Sequence, residues 1–228
     1  MAHLRRQDGP FSLVELIGAE FSRPARRYLN SSYVSQFVLN EPSDHDLIDQ
    51  TLAGKPGAFD ALVRRYQNRL VHSLEQALGS REDALEAAQQ AFVSGWKNLS
   101  KFRRDAAFYS WLYRIAINAA RTTRRRRRVA TTSLDRLNDS GELAPDLSTS
   151  ARPEHGLSSA ERVQLVQQAL QSIAEEYRQP LVLREIDGMS YDEIASALDI
   201  PVGTVRSRIF RARQELTGRL KRMFHDAW

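Results

Sequence analysis

The chain has 228 residues, 42% of them hydrophobic, with 33 Lys and Arg against 28 Asp and Glu, for a formal net charge of +5. This allows one large domain or two small ones, and the basic excess suits a polyanionic partner. The absence of cysteine excludes a disulfide framework, a cysteine-ligated metal and a thiol nucleophile, and it suits a reducing cytoplasm.

No apolar run reaches the length of a membrane span, so no membrane partner is expected. Arg5 and Arg6 are not followed by a compact apolar core and a small-residue cleavage site, so no secretory signal is read. Residues 1–43 form an N-terminal extension without an assigned role, interrupted by Pro10, Pro24 and Pro42. From Asp44 the pattern is helical. Leu47, Ile48 and Leu52 give a short amphipathic helix closed by Gly54. Phe59, Leu62, Val63, Tyr66, Leu70 and Leu74 then mark a core stripe that ends near Gly79.

Ser80 opens the next helix. The spacing predicts a core face of Leu85, Ala88, Phe92, Trp96 and Leu99. Glu86, Gln89 and Gln90 lie on other faces, open to two readings: a solvated surface or a partner-docking face. A basic break over residues 101–105 precedes a helix whose expected core face is Phe108, Trp111, Leu112, Ile115 and Ala119. Arg114, Asn118, Arg121 and Arg125 line an adjacent face, beside Phe108, Tyr109, Trp111 and Tyr113. Arginines hold phosphates and aromatic rings stack on unpaired bases, so this combination points to nucleic acid. The run Arg124 to Arg128 fits phosphate contact or a solvated helix end.

Residues 129–157 lose apolar periodicity and are rich in Ser, Thr, Pro and Asp, the composition of a linker. Helical pattern returns at Ser158, with Val163, Val166, Ala169, Leu170 and Ile173 on one face. Carboxylate pairs such as Glu175 and Glu176 fall on polar helix faces and read as solvated. Residues 188–216 then read as a helix-turn-helix. Ser190 caps a helix bearing Ile194, Ala195 and Leu198, and Asp199, Pro201 and Gly203 form the break. A second helix from about Thr204 buries Val205, Ile209, Ala212 and Leu216. Thr204, Ser207, Arg208, Arg211 and Gln214 project from its other side, as in a helix that enters the DNA major groove. The competing reading is a solvated arginine face on a helical hairpin.

No phosphate-cradling glycine loop, metal-spaced His–Glu pair or nucleophile elbow is found, so catalysis, metal binding and a cofactor are not expected.

Two stretches, FRRDAAFYSWLYRIAINAAR and MSYDEIASALDIPVGTVRSRIFRARQEL, closely resemble extracytoplasmic-function (ECF) sigma factors of bacterial RNA polymerase. The resemblance runs from about Asp44 to Phe224. It implies an all-α fold of two small helical domains joined by a flexible linker: region 2 at residues 44–128 and region 4 at residues 158–228. It implies promoter-directed initiation in the cytoplasm, on the nucleoid when bound to polymerase. The expected partners are core RNA polymerase, promoter DNA and a candidate anti-sigma factor. Glu86, Gln89, Gln90 and Phe92 would dock the polymerase. Lys101, Arg103, Arg104, Tyr109, Trp111, Arg114, Asn118, Arg121 and Arg125 would read and open the minus-10 element. Thr204, Arg206, Ser207, Arg208, Phe210 and Arg211 would contact the minus-35 element. Two alternatives are weaker. A stand-alone dimeric regulator has no use for aromatic and basic residues on adjacent faces at residues 108–128, and a nucleic-acid-modifying enzyme lacks a catalytic constellation.

Overall fold

The computed structural model describes residues 42–135 and 158–226. Among the described residues there are eight α-helices, one 3-10 turn and no strand. They are α1 (Asp44–Leu52), α2 (Ala58–Leu78), α3 (Arg81–Lys97), the 3-10 turn Leu99–Lys101, α4 (Phe108–Asp135), α5 (Ser159–Gln171), α6 (Glu175–Glu185), α7 (Tyr191–Leu198) and α8 (Val202–Asp226). The all-α expectation is met. The N-terminal extension up to Glu41 and the connecting segment beyond Asp135 lie outside the described residues. Helix α4 takes in residues 129–135, whose composition reads as linker.

Serine starts four of the helices. Ser43, Ser80, Ser158 and Ser190 each accept a hydrogen bond from a backbone N–H in the first turn. At Ser43, Ser158 and Ser190 an acidic residue three positions on (Asp46, Glu161, Glu193) bonds back to the serine N–H. These reciprocal bonds satisfy donors that a bare helix end leaves open.

Helices α1 to α4 form the first half. Leu62, Leu70, Leu74 and Ala77 of α2 are fully buried, as are Leu112 and Tyr113 of α4. Helix α3 differs from expectation. Its buried face is Ala84, Ala87, Ala88, Ala91 and Gly95, whereas Leu85 and Trp96 are 48% and 59% exposed. The reason is spacing. A Cβ on Gly95 would lie 3.4 Å from Leu112 Cδ1 and 3.7 Å from Trp111 Cζ3. The small residues let α3 approach α4 closely, and the large apolar side chains point outward.

Helices α5 to α8 form the second half, around Ile173, Leu181, Leu183 and Ile194. Val205, Ile209, Ala212 and Leu216 of α8 are each at most 1% exposed, the stripe the spacing predicts. Helix α8 starts at Val202, two positions earlier than expected, because Asp199 adopts the left-handed conformation (φ 57°) that ends α7. Asp is among the few non-glycine residues that tolerate it.

The halves pack against each other, α2 on α5 and α6, and α4 on α7. Arg178, 7% exposed, donates from Nε to the Ala77 carbonyl (2.9 Å) and from Nη1 to the Gln171 carbonyl (2.7 Å). It thereby satisfies helix-end carbonyls from both halves. Gly79 is tight as well: its φ is +77°, and an added Cβ would lie 2.4 Å from Gln171 Oε1.

Candidate nucleic-acid interface

The expected minus-35 residues share the outer face of α8. Arg206, Ser207 and Arg211 are exposed and Phe210 is 62% exposed, while Thr204 and Arg208 are half-buried. The sequence builds this face by alternation: apolar residues at helical spacing are spent on the core, which leaves the cations outward. Three of the arginines are steadied from within the second half. Arg211 Nη1 donates to the Tyr177 hydroxyl (3.2 Å), Arg208 lies 3.6 Å from Glu176, and the Arg206 guanidinium sits 5.8 Å from the Tyr191 ring centroid. Ser207 Oγ donates to the Thr204 carbonyl (3.0 Å), a bond that leaves its acceptor lone pairs facing out.

The expected minus-10 residues divide into three groups. Lys101 and Arg103 are exposed in the break before α4, and Trp111 is half-buried. The Trp111 ring is held by Phe102 (5.1 Å between centroids) and Phe108 (5.8 Å), with Gly95 behind it. Lys101, Phe102, Arg103, Asp105, Trp111 and Arg114 wall a hollow of about 570 Å³. Asn118 and Arg125 are exposed along α4. Arg104, in contrast, is turned to α1, where it pairs with Asp49.

Tyr109 departs most from expectation: it is 4% exposed, so it does not offer its ring to a base here. The Arg69 guanidinium lies 3.9 Å over its ring, and its hydroxyl donates to Asp187 Oδ2 (3.1 Å). Burial pushes the Tyr109 phenol well above its usual range, so it stays a neutral donor. Arg114 and Arg121 are also engaged from the second half. Arg114 Nη2 pairs with Asp199 (2.7 Å), and Arg121 Nη2 donates to Gln179 Oε1 (3.4 Å).

The arginine run is not uniformly a phosphate face. Arg124 donates to Asp83 (3.1 Å), Glu175 (2.7 Å) and the Leu78 carbonyl (2.8 Å), tying α4 to α2, α3 and α6. Glu175 is therefore a packing partner and not a free solvated carboxylate. Arg127 pairs with Asp83 (2.6 Å) and Glu86 (2.8 Å).

The expected polymerase-docking residues sit on α3. Gln89 and Gln90 are exposed, and Glu86 accepts from Gln90 (3.0 Å) as well as from Arg127. Phe92 lines a second hollow, of about 630 Å³, with Val93 and Trp96. Val93 and Trp96 are exposed apolar side chains that sequence reasoning assigned to the core or passed over. The signal for them was the alanine–glycine spacing on the opposite side of α3.

Sequence reasoning also passed over Asp187, in the turn between α6 and α7. Its side chain is 2% exposed and takes Arg69 Nε at 3.0 Å, while its carbonyl takes Arg69 Nη2 at 2.9 Å. Burial pushes its carboxyl above the ordinary value, partly offset by the donors around it. Nothing local marks this residue, because its partners lie 78 and 118 positions away.

Comparison with known proteins agrees with this geometry. Residues 62–129 match the family described as Sigma-70 region 2, and residues 164–216 match Sigma-70, region 4. The chain is 37% identical over 182 residues to the ECF RNA polymerase sigma-E factor of Escherichia coli (strain K12), covering 78% of this chain and 95% of that protein. It is 37% identical over 195 residues to the RNA polymerase sigma-H factor of Pseudomonas aeruginosa, covering 83% of this chain and 100% of that one. Among solved structures it is similar to CnrH in complex with the cytosolic domain of CnrY, at 30% identity and TM-score 0.55, over 78% of this chain and 97% of that one. It also shares its fold with the sigma factor RpoE in complex with the anti-sigma factor NepR from Bartonella quintana, at 21% identity and TM-score 0.57, over 72% and 98% of the two chains.

Proposed function

The chain belongs to the ECF RNA polymerase sigma factors and directs promoter-specific transcription initiation without catalysis of its own, and we propose that it divides promoter reading between two heads. The region 4 head, residues 158–228, reads the minus-35 duplex. Helix α8 enters the major groove with Ser207, Phe210 and Arg211 toward base edges, and Thr204, Arg206 and Arg208 toward phosphates. The observation that carries this is the sorting of α8: every large apolar residue of its stripe is inside, and Arg206, Arg211 and Phe210 are outside.

The region 2 head, residues 44–128, reads the minus-10 element as it opens. Lys101, Arg103 and Arg104 hold the backbone of the separated strand. Trp111 and Asn118 meet unpaired bases in and beside the hollow, and Arg114, Arg121 and Arg125 continue the phosphate track along α4. Capture of unstacked bases offsets an unstacking cost of a few kcal/mol per base. The α3 face docks core polymerase through Glu86, Gln89, Gln90 and Phe92, with Val93 and Trp96 as apolar anchors of the kind that dominate interfaces. The linker, residues 129–157, passes through the polymerase cleft. The protein acts in the cytoplasm, on the nucleoid when polymerase-bound. An anti-sigma factor is a candidate partner, since both structural neighbours are complexes with a second protein.

Pull-down with core polymerase, sequencing of the bound promoters and run-off transcription test the reading. The Trp111→Ala/Asn118→Ala double variant is expected to bind core and the upstream duplex but to fail at opening. Full opening by that variant overturns the strand-reading role of α4.

A further inference from the structure

We propose that Arg127 is a positioning residue for polymerase docking: from the arginine run of α4 it fixes the Glu86 carboxylate on α3, and Glu86 in turn fixes the Gln90 amide that meets the polymerase. The inference rests on the assignment of Glu86, Gln89, Gln90 and Phe92 to the docking face.

Both oxygens of the Glu86 carboxylate are engaged. Arg127 Nη2 donates to Oε2 (2.8 Å), and Gln90 Nε2, one turn further along α3, donates to Oε1 (3.0 Å). The other arm of the Arg127 fork, Nη1, donates to Asp83 Oδ1 (2.6 Å). Asp83 anchors this chain of bonds: its side chain is 12% exposed, and its second oxygen accepts from Arg124 Nε (3.1 Å). A planar guanidinium with its two arms on two carboxylates is held in one orientation, which a single ion pair does not impose. The Gln90 amide is thereby set with its nitrogen toward Glu86, and its oxygen is left as an acceptor on an exposed side chain.

Helical spacing divides the arginine run. Arg124 and Arg127, three residues apart, share the side of α4 that is turned to α3. Arg125 and Arg126, at about 100° and 200° around the helix from Arg124, fall on other sides. Two arginines of the run thus act on the docking helix rather than on phosphates.

Stability alone does not account for this arrangement. The helix N-terminus favours Glu82 and Asp83, the acidic residues of the first turn of α3, but its field fades before Glu86. Arg127 and Glu86 are 48% and 37% exposed, the type of pair that contributes little to folding. What the pair supplies is order. A glutamate and a glutamine that move in solvent must each be fixed when a partner docks, and that fixing costs side-chain freedom. Held in advance by Arg127, they meet the polymerase already oriented, on the helix that carries Phe92, Val93 and Trp96.

The test measures binding of the full chain to core RNA polymerase, by competition against a dye-labelled parent chain. Arg127→Ala is expected to bind roughly tenfold more weakly, the effect of releasing two long side chains. Its thermal midpoint is expected to stay within about 2 °C of the parent. Arg127→Lys keeps one of the two arms and is expected to recover part of the loss, whereas Arg126→Ala is expected to bind as the parent does. In the Glu86→Ala background, Arg127→Ala is expected to add less than about twofold, because its effect passes through Glu86. An equal loss in both backgrounds, no recovery in Arg127→Lys, or a loss that Arg126→Ala reproduces overturns the positioning role. A thermal midpoint that falls in step with affinity overturns it too. If Glu86→Ala and Gln90→Ala both bind as the parent does, the docking reading fails and the inference with it. If they weaken binding and Arg127→Ala does not, the inference alone fails.

Discussion

The two reading heads use the same chemistry, arginines flanked by an aromatic residue on a long helix, yet they stand in different states. On α8 the apolar residues that anchor the helix and the polar ones proposed to read DNA are separate sets. On α4 the sets overlap: Phe108 and Tyr109 are buried, Trp111 is half-buried, and Arg114 and Arg121 are held by the other half. A head that reads closed duplex needs only a rigid face. A head that takes unpaired bases must keep aromatic surface available, and such surface in water is a liability unless it is partly covered.

The comparison breaks most completely at Phe108. It is 3% exposed and packs against Phe102, Trp111 and Tyr66. Phe108→Ala is expected to cost about 3–5 kcal/mol of stability, read from the urea midpoint, and to take Trp111 out of register. A smaller effect separates the heads cleanly. Arg211→Ala is expected to weaken minus-35 duplex binding by about 1–3 kcal/mol in a binding titration at fixed salt. Its thermal midpoint and its binding of single strand are expected to stay at parental values, so a loss of both activities would mean that the heads are not independent. The smallest change sharpens the contrast within region 4. Ser190→Ala removes the cap that accepts from the Glu193 N–H and is expected to cost about 1 kcal/mol of stability by denaturant titration. It acts through α7, on which α8 packs, so duplex affinity is expected to fall without a change in salt dependence.

The same contrast explains what could be read from the sequence. The α8 stripe was legible because Val205, Ile209 and Leu216 are large, apolar and helically spaced, and each is buried against its own half. The serine starts at Ser80 and Ser190 were legible because their partners lie three residues away. Helix α3 was misread because its core is made of alanine and glycine, which carry little hydrophobic signal, while Leu85 and Trp96 carry much and face outward. The positions of Tyr109, Arg124 and Glu175 were illegible for a different reason. Each is set by contact between halves distant in sequence, and periodicity reports only which side of a helix faces something. A resemblance to a family supplied roles for residues, but not the arrangement the free chain adopts.

The burial of Asp187 ties the stability of the fold to protons. Its carboxyl is pushed above the ordinary value of 3.8 by loss of hydration against Arg69 and Tyr109, and it regains water when the chain unfolds. The folded chain therefore holds this proton more tightly than the unfolded one. By linkage, this residue favours folding at low pH, and that contribution fades as pH rises from 3.8 through the raised folded-state value. Unfolding within that window releases a proton to solvent, so it carries a buffer-dependent heat that a calorimeter registers and that Asp187→Ala abolishes.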